Sequence, residues 1–132
     1  MNRVLIIFFT VLSVVCTECS QDKKEAGEVA TQYLTLMGNY QFEEAKAYAT
    51  EKQVETICRV QDFAAMISDE DKQKVLPVTI TIEDIAISND SAFVDFESSS
   101  PMFKNKGTLT MVKQDGKWLA CRQAKKFEQK SE

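Results

Sequence analysis

Histidine is absent from all 132 residues. With it go the commonest general base at neutral pH and the commonest transition-metal ligand. Ser-His-Asp and Cys-His machinery is therefore excluded. Cysteine is scarce where it could do chemistry. Of four, Cys16 and Cys19 close an apolar leader, which leaves Cys58 and Cys121 in the body of the chain. Two cysteines so far apart make no zinc site, and no metal or cofactor is expected. A basic stripe is also missing. The net charge is −4, and the nearest things to a cluster, Lys104 with Lys106 and Lys125 with Lys126, read as a solvated loop and a solvated tail. A nucleic-acid partner is not expected. Finally, no apolar run is long enough to span a bilayer, which takes roughly 20 residues.

What is present begins with a leader. Met1–Arg3 is short and positive, and Val4–Val15 is apolar except for Thr10 and Ser13. About a dozen apolar residues behind a positive start make the h-region of a signal peptide. A cysteine just after such a run resembles a bacterial lipoprotein signal, which implies a diacylglycerol on Cys19 or Cys16. Val15 and Glu18 precede those cysteines, where a small residue is usual. Ordinary cleavage at Thr17-Glu18-Cys19, giving a soluble periplasmic or secreted protein, is the alternative. The expected organisation is a signal peptide over 1–18, a flexible tether over 19–24, one domain over 25–126 and a tail over 127–132. The expected location is the cell envelope, as an outer-membrane or periplasmic lipoprotein held to the membrane by its N-terminal lipid.

Within the domain, Ala26, Val29, Ala30, Tyr33, Leu34 and Met37 repeat at helical spacing and predict a helix over 22–37. Gly38-Asn39 supplies left-handed residues to stop it. Phe42, Ala45 and Ala49 mark a second helix. Thr50, with Gln53 completing a capping box, starts a third over 51–67. That helix is expected to bury Val54, Ile57, Cys58 and Ala65, with Phe63 and Met66. Ser68–Lys74 reads as a charged connection. At Pro77 the period changes to two. Val78, Ile80 and Ile82 alternate, and Ile85 and Ile87 resume out of phase, so a bulge is expected at Glu83–Asp84. Ala92, Val94 and Phe96 share a face of the next strand. Residues 98–107 read as a loop. Asp115-Gly116 is a type I′ pair between the last two strands, and it sets Met111 opposite Ala120 and Lys113 opposite Trp118. Trp118, Ala120, Met111 and Leu109 then face the helices. Leu119, Cys121 and Val112 face away, with Phe93, so the outer face is partly apolar. Cys58 and Cys121 are expected as free thiols, Cys58 buried and Cys121 the faster to react. The fold class is α+β: three N-terminal helices on a curved four-stranded antiparallel sheet, cone-like.

The segments "GNYQFEEAKAYAT", "ITIEDIAISNDSAFVDF" and "GTLTMVKQDGKWLA" resemble small exported bacterial domains of unknown function with the nuclear-transport-factor-2-like, cystatin-like cone fold. The resemblance runs from about Lys23 to Arg122. It implies a curved sheet wrapped round the first helix and a pocket between helices and sheet. Tyr33, Met37, Phe63, Met66, Phe96 and Trp118 are its candidate lining. Isomerases of this superfamily need a carboxylate in an apolar cavity and a tyrosine aimed at the oxyanion. Tyr33 and Asp62 are the nearest candidates, but no catalytic residue is assigned and no enzyme is expected. The leading expectation is a non-enzymatic envelope module that binds a small hydrophobic ligand or an envelope protein. A ligand-free structural or self-associating domain, such as a homodimer, is the alternative. An immunity or inhibitor protein and an isomerase-like enzyme stand behind it.

Overall fold

The computed structural model describes residues 2–125, with side chains described for 20–123. Helices come first: α1 (Asn2–Gly38), α2 (Phe42–Ala45) continued by a 3-10 turn (Lys46–Tyr48), α3 (Glu51–Ala64) and α4 (Asp69–Val75). Four strands follow: β1 (Thr79–Ser88), β2 (Ser91–Ser99), β3 (Lys104–Gln114) and β4 (Lys117–Lys125). They form one antiparallel meander in the order β1-β2-β3-β4. The α+β class is as expected, with one helix more.

α1 crosses the inner face of the sheet. Ala26, Ala30, Tyr33 and Leu34 are buried there against Val94, Leu109, Met111, Trp118 and Ala120. Small residues at Ala26 and Ala30 let the helix sit close to the strands, while Trp118 fills the space beside it. The Trp118 Nε1–H finds no acceptor among the described residues. Residues 19–24, expected as a tether, continue α1 instead. No proline or glycine interrupts the chain between Asn2 and Ala26, and Lys, Glu and Gln are good helix formers. Asp22 also anchors this stretch: its Oδ1 lies 2.9 Å from Lys113 Nζ. Lys113 holds its proton more tightly as a result, its pKa raised first by that hydrogen bond. Cys16 and Cys19 fall within α1, but their side chains lie outside the described residues.

Several strand expectations hold in detail. β1 slips register between Ile82 and Asp84, so Ile80, Ile82, Ile85 and Ile87 all pack on the core. Met111 pairs with Ala120 and Lys113 with Trp118. Asp115 and Gly116 both have positive φ, 51° and 78°, which a type I′ turn requires.

Other expectations need correction. Gly38 is not the left-handed stop; Tyr40 is, at φ 62°. Gly38 and Asn39 serve β1 instead. A Cβ on Gly38 would lie 2.8 Å from Val78 Cγ1, so only glycine admits this approach. The Asn39 side chain accepts from Val78 N at 3.1 Å and donates to Thr35 O at 2.7 Å and to Val78 O at 3.2 Å. The end of α1 and the start of β1 are thereby clamped together. α3 is rotated from its expected phase and buries Gln53, Ile57 and Ala64. Cys58 and Ala65 are exposed and Val54 is half-buried. The charged connection contains α4, whose N-cap Ser68 accepts from Asp71 N at 3.2 Å. Its acids lie in the first turn and its lysines in the last, an order that suits the helix dipole. β3 begins at Lys104, four residues before Thr108, because Ser98 and Ser99 pair with Asn105 and Lys104.

Candidate functional site

The helices do not cover the whole inner face. Between α1, α3 and one end of the sheet lies a half-open cavity of about 680 Å³. That is within the ordinary range for small-molecule sites, about 300–1,000 Å³. Its apolar wall comes from Leu34 and Met37 of α1, Val75 of α4, and Val78 and Ile80 at the start of β1. Buried Phe96 of β2 and exposed Phe103 add to the apolar lining. The rest of the lining on the sheet is polar. Ser98, Asn105 and Gln123 line the cavity from three adjacent strands, whereas Lys106, opposite Glu97, and Arg122, opposite Thr110, have the outward strand parity.

This polar lining depends on a second irregularity. Between Thr110 and Met111 the β3–β4 register slips, so that Thr110 pairs with Arg122 and Met111 with Ala120. Cys121 is the extra residue. After it the parity of β4 reverses, and Gln123, paired with buried Leu109, joins the inner side.

Tyr33 and Gln53 supply the cavity's buried polar pair. Gln53 Nε2 donates to Tyr33 Oη at 3.0 Å. Gln53 is buried at 7% exposure and Tyr33 at 0%. The capping arrangement at Thr50 explains why the glutamine is available. Thr50 Oγ1 accepts from Gln53 N at 3.2 Å, as a capping box requires. In a full box the Gln53 side chain would return to the Thr50 N–H. Here that N–H donates to Ala120 O of β4 at 2.9 Å, so the amide is left to reach Tyr33. Burial raises the Tyr33 phenol above its usual 10.0, and the Gln53 hydrogen bond draws it part-way back. The phenol is neutral at physiological pH.

Of the six residues expected to line a pocket, Tyr33, Met37 and Phe96 do so. Trp118 is buried in the packed core beside the cavity rather than lining it. Phe63 and Met66 are 73% and 82% exposed. Phe63 sits one residue off the buried phase marked by Ala64, and Met66 follows the helix end at Ala65. Asp62 is exposed as well. Asp95 accepts from Thr108 Oγ1 at 2.6 Å outside the cavity. Gln53, Ser98, Asn105 and Gln123 are not identifiable from the sequence as site residues. Strand parity carried from Phe96 and Leu109 reaches Ser98 and Asn105, but the bulge hides Gln123.

A second hollow of about 750 Å³ runs along α1 between Lys23, Gly27, Tyr48 and Ile85. It is a wide surface groove, without the buried polar pair of the first. Among the described residues no group of three or more His, Cys, Asp or Glu is placed to hold a metal ion. No helix among them is long and apolar enough to cross a membrane.

A family model described as "Putative lumazine-binding" matches residues 21–123. The chain belongs to this family. A solved structure named "Putative NTF2-like transpeptidase", from Campylobacter jejuni, superposes with a TM-score of 0.54 at 18% identity. The superposition covers 73% of this chain and 96% of that one. At that identity the likeness establishes the fold, which is the NTF2-like cone. No curated protein matches the chain.

Proposed function

We propose that the protein is a non-enzymatic carrier or sensor that holds a small, mostly apolar molecule in the cavity between α1, α3 and the sheet. The observation that carries this reading is the cavity itself. It combines a volume of about 680 Å³ with an apolar wall and a buried Tyr33–Gln53 pair. Polar groups few in number and fixed in place are what orient a ligand in an otherwise apolar site. The family's description, lumazine-binding, supports a ligand role and suggests a flat heterocycle as one candidate. No Asp or Glu lines the cavity among the described residues, so the carboxylate base of isomerase chemistry has no counterpart there. Transpeptidase chemistry, suggested by the neighbour's name, needs an activated nucleophile; neither Cys58 nor Cys121 lies in the lining, and its hydroxyl residues, Thr56 and Ser98, have no histidine or carboxylate in the lining beside them.

Export is part of the proposal. The positive start, the apolar run Val4–Val15 and the cysteines at 16 and 19 support a lipid-anchored envelope protein. Metabolic labelling with a fatty-acid probe tests this: label should be lost in Cys19→Ala or in Cys16→Ala, and label that survives both changes rejects it. The second reading, self-association, is favoured by the outer sheet face, where Phe93 is 44% exposed beside half-buried Val112 and Leu119.

The cavity is tested with N-phenyl-1-naphthylamine, a neutral dye that fluoresces in apolar sites. The full-length chain should bind it, and Ile80→Trp, which fills the apolar wall, should weaken binding about tenfold or more. A dye signal unchanged by Ile80→Trp would reject the cavity as the binding site.

A further inference from the structure

The strand register leaves the cavity without a charged wall. Two charged residues border it, Lys106 and Arg122. Lys106 pairs with Glu97 and Arg122 with Thr110, both at outward positions of the sheet. Lys106 Nζ lies 3.5 Å from Glu83 Oε1. Every other lining residue is uncharged. Within that neutral lining one acceptor is left over on a fixed group. Gln53, Thr56 and Val60 of α3 all line the cavity, and their spacing of three and four residues puts them on one helix face. Gln53 is the buried one, at 7% exposure. Its Nε2 is committed to Tyr33 Oη at 3.0 Å. Its Oε1 accepts no hydrogen bond from the described residues, yet the one fully buried side-chain atom left unpartnered among them is Trp118 Nε1. Gln53 Oε1 therefore touches open space, and the open space that Gln53 borders is the cavity.

We infer that the ligand is uncharged and carries an N–H or O–H that donates to Gln53 Oε1. This rests on the carrier reading and adds to it the chemical class of the ligand. An amide oxygen is a pure acceptor. Tyr33 holds the other end of the same amide, so the acceptor is in place before the ligand arrives. A ligand that covers this oxygen without offering a donor leaves it buried and unpaired, which costs affinity. Sites that pair a polar group reject the analogue lacking it far more strongly than apolar pockets reject a change of shape. An ionised ligand fares worse in another way. It gives up water for a lining that turns no opposite charge toward it. The rest of the ligand is apolar, because Leu34, Met37, Val78 and Ile80 reward apolar area that leaves water.

The test is calorimetric titration of the full-length chain at pH 7 with three ligands of one skeleton. 2-Naphthol is neutral and has a donor. 2-Methoxynaphthalene is neutral and has none. 2-Naphthoate is an anion. 2-Naphthol should bind about tenfold more tightly than either of the others, equivalent to ~1.4 kcal/mol. In Gln53→Met its advantage over 2-methoxynaphthalene should fall to about twofold. Methionine keeps the length of glutamine without the acceptor, and the ranking in the parent chain decides the matter if that variant does not fold. 2-Methoxynaphthalene or 2-naphthoate binding as tightly as 2-naphthol overturns this inference and leaves the carrier reading standing. A donor preference that survives undiminished in folded Gln53→Met also overturns it, since another acceptor is then in use. Binding of none of the three overturns both.

Discussion

The inner face of the sheet has two ends that share the same strands and the same covering helix, yet one is solid and the other hollow. At the solid end the inward positions are Ala92 and Val94 on β2, Leu109 and Met111 on β3, and Trp118 and Ala120 on β4, all buried. Followed along the same strands to the other end, the inward positions become Ser98, Asn105 and Gln123. A dry core cannot accept such groups without partners, because an unpaired buried amide or hydroxyl costs about 1–3 kcal/mol. The change in residue type therefore fixes where helix packing stops. α1 lies close over the first set, through Ala26 and Ala30, and the cavity opens where the polar set begins. The hollow is a property of the sequence along three strands and does not arise from a missing helix.

The largest test of that contrast is a pair of truncations. Trp118→Ala at the solid end should cost about 3–5 kcal/mol, as large-to-small core changes do. Ile80→Ala, on the cavity wall and already half-exposed, should cost under about 2 kcal/mol. Urea titration measures both. Similar losses at the two sites would mean that the second end is packed in solution as well.

A smaller and sharper test uses the two helical glycines. A Cβ on Gly27 would meet Ile85 Cδ1 at 2.9 Å, the far end of a flexible side chain that can turn aside. Alanine gains up to ~1 kcal/mol of helix propensity over glycine, so Gly27→Ala should be neutral within about 0.5 kcal/mol. A Cβ on Gly38 would lie 2.8 Å from Val78 Cγ1 and 3.0 Å from Val78 Cβ. That residue is pinned by Asn39 through both its N–H and its carbonyl. It cannot yield, so Gly38→Ala should lose about 1–2 kcal/mol despite the propensity gain. It should also weaken dye binding, because Gly38 and Val78 both line the cavity. A neutral Gly38→Ala would show that the clamp between α1 and β1 is loose.

The solid end was more legible in the sequence than the hollow one, and the reason is physical. Alternation along a strand and a helix stripe report burial against apolar partners, and this places Leu109, Met111 and Trp118 on one face. The Asp115-Gly116 turn then fixed their register. The hollow end is built from exceptions. Ser98 lies in a serine run that reads as loop. Gln123 reaches its face only because Cys121 is bulged. Gln53 reaches Tyr33 only because Ala120 O has taken the Thr50 N–H, a contact between residues 70 positions apart. α3 carries too few strong apolar residues to fix its phase, so a rotation of about 100° per misassigned residue put Phe63 inside and Ala64 outside.

Tyr33 gives the next prediction, a pH dependence. Its phenol is raised above 10.0 in the folded protein, first by burial. The neutral form is therefore the one the fold favours. The contribution is fully present below pH 10 and is lost as the pH rises from there through the folded pKa. The parent chain should lose stability on that alkaline limb, and Tyr33→Phe should lose less. At neutral pH Tyr33→Phe should cost about 1 kcal/mol, since the Gln53 amide that loses its partner borders an open cavity and can reach water. Parallel alkaline limbs in the two proteins would mean that the phenol is solvated.

The smallest effect concerns the two thiols that flank the contrast, one on each layer. Both are free. Cys58 is exposed on α3, contrary to its expected burial, because the helix presents Ile57 to the core instead. Cys121 is half-buried at the bulge of β4, and burial pushes its thiol above the usual 9.0 while Arg122 opposes the shift. The thiolate is the reacting species, so Cys58 should be alkylated severalfold faster than Cys121, the reverse of the order read from strand parity alone. Iodoacetamide on native, unreduced protein, followed peptide by peptide, measures this. Removing the opposing charge in Arg122→Gln should slow Cys121 further and leave Cys58 unchanged. If Cys121 reacts first, its sulfur is on the surface and the bulge that turns Gln123 inward is absent. If neither thiol reacts before reduction, the two are bridged, and α3 must lie much closer to β4 than the hollow end allows.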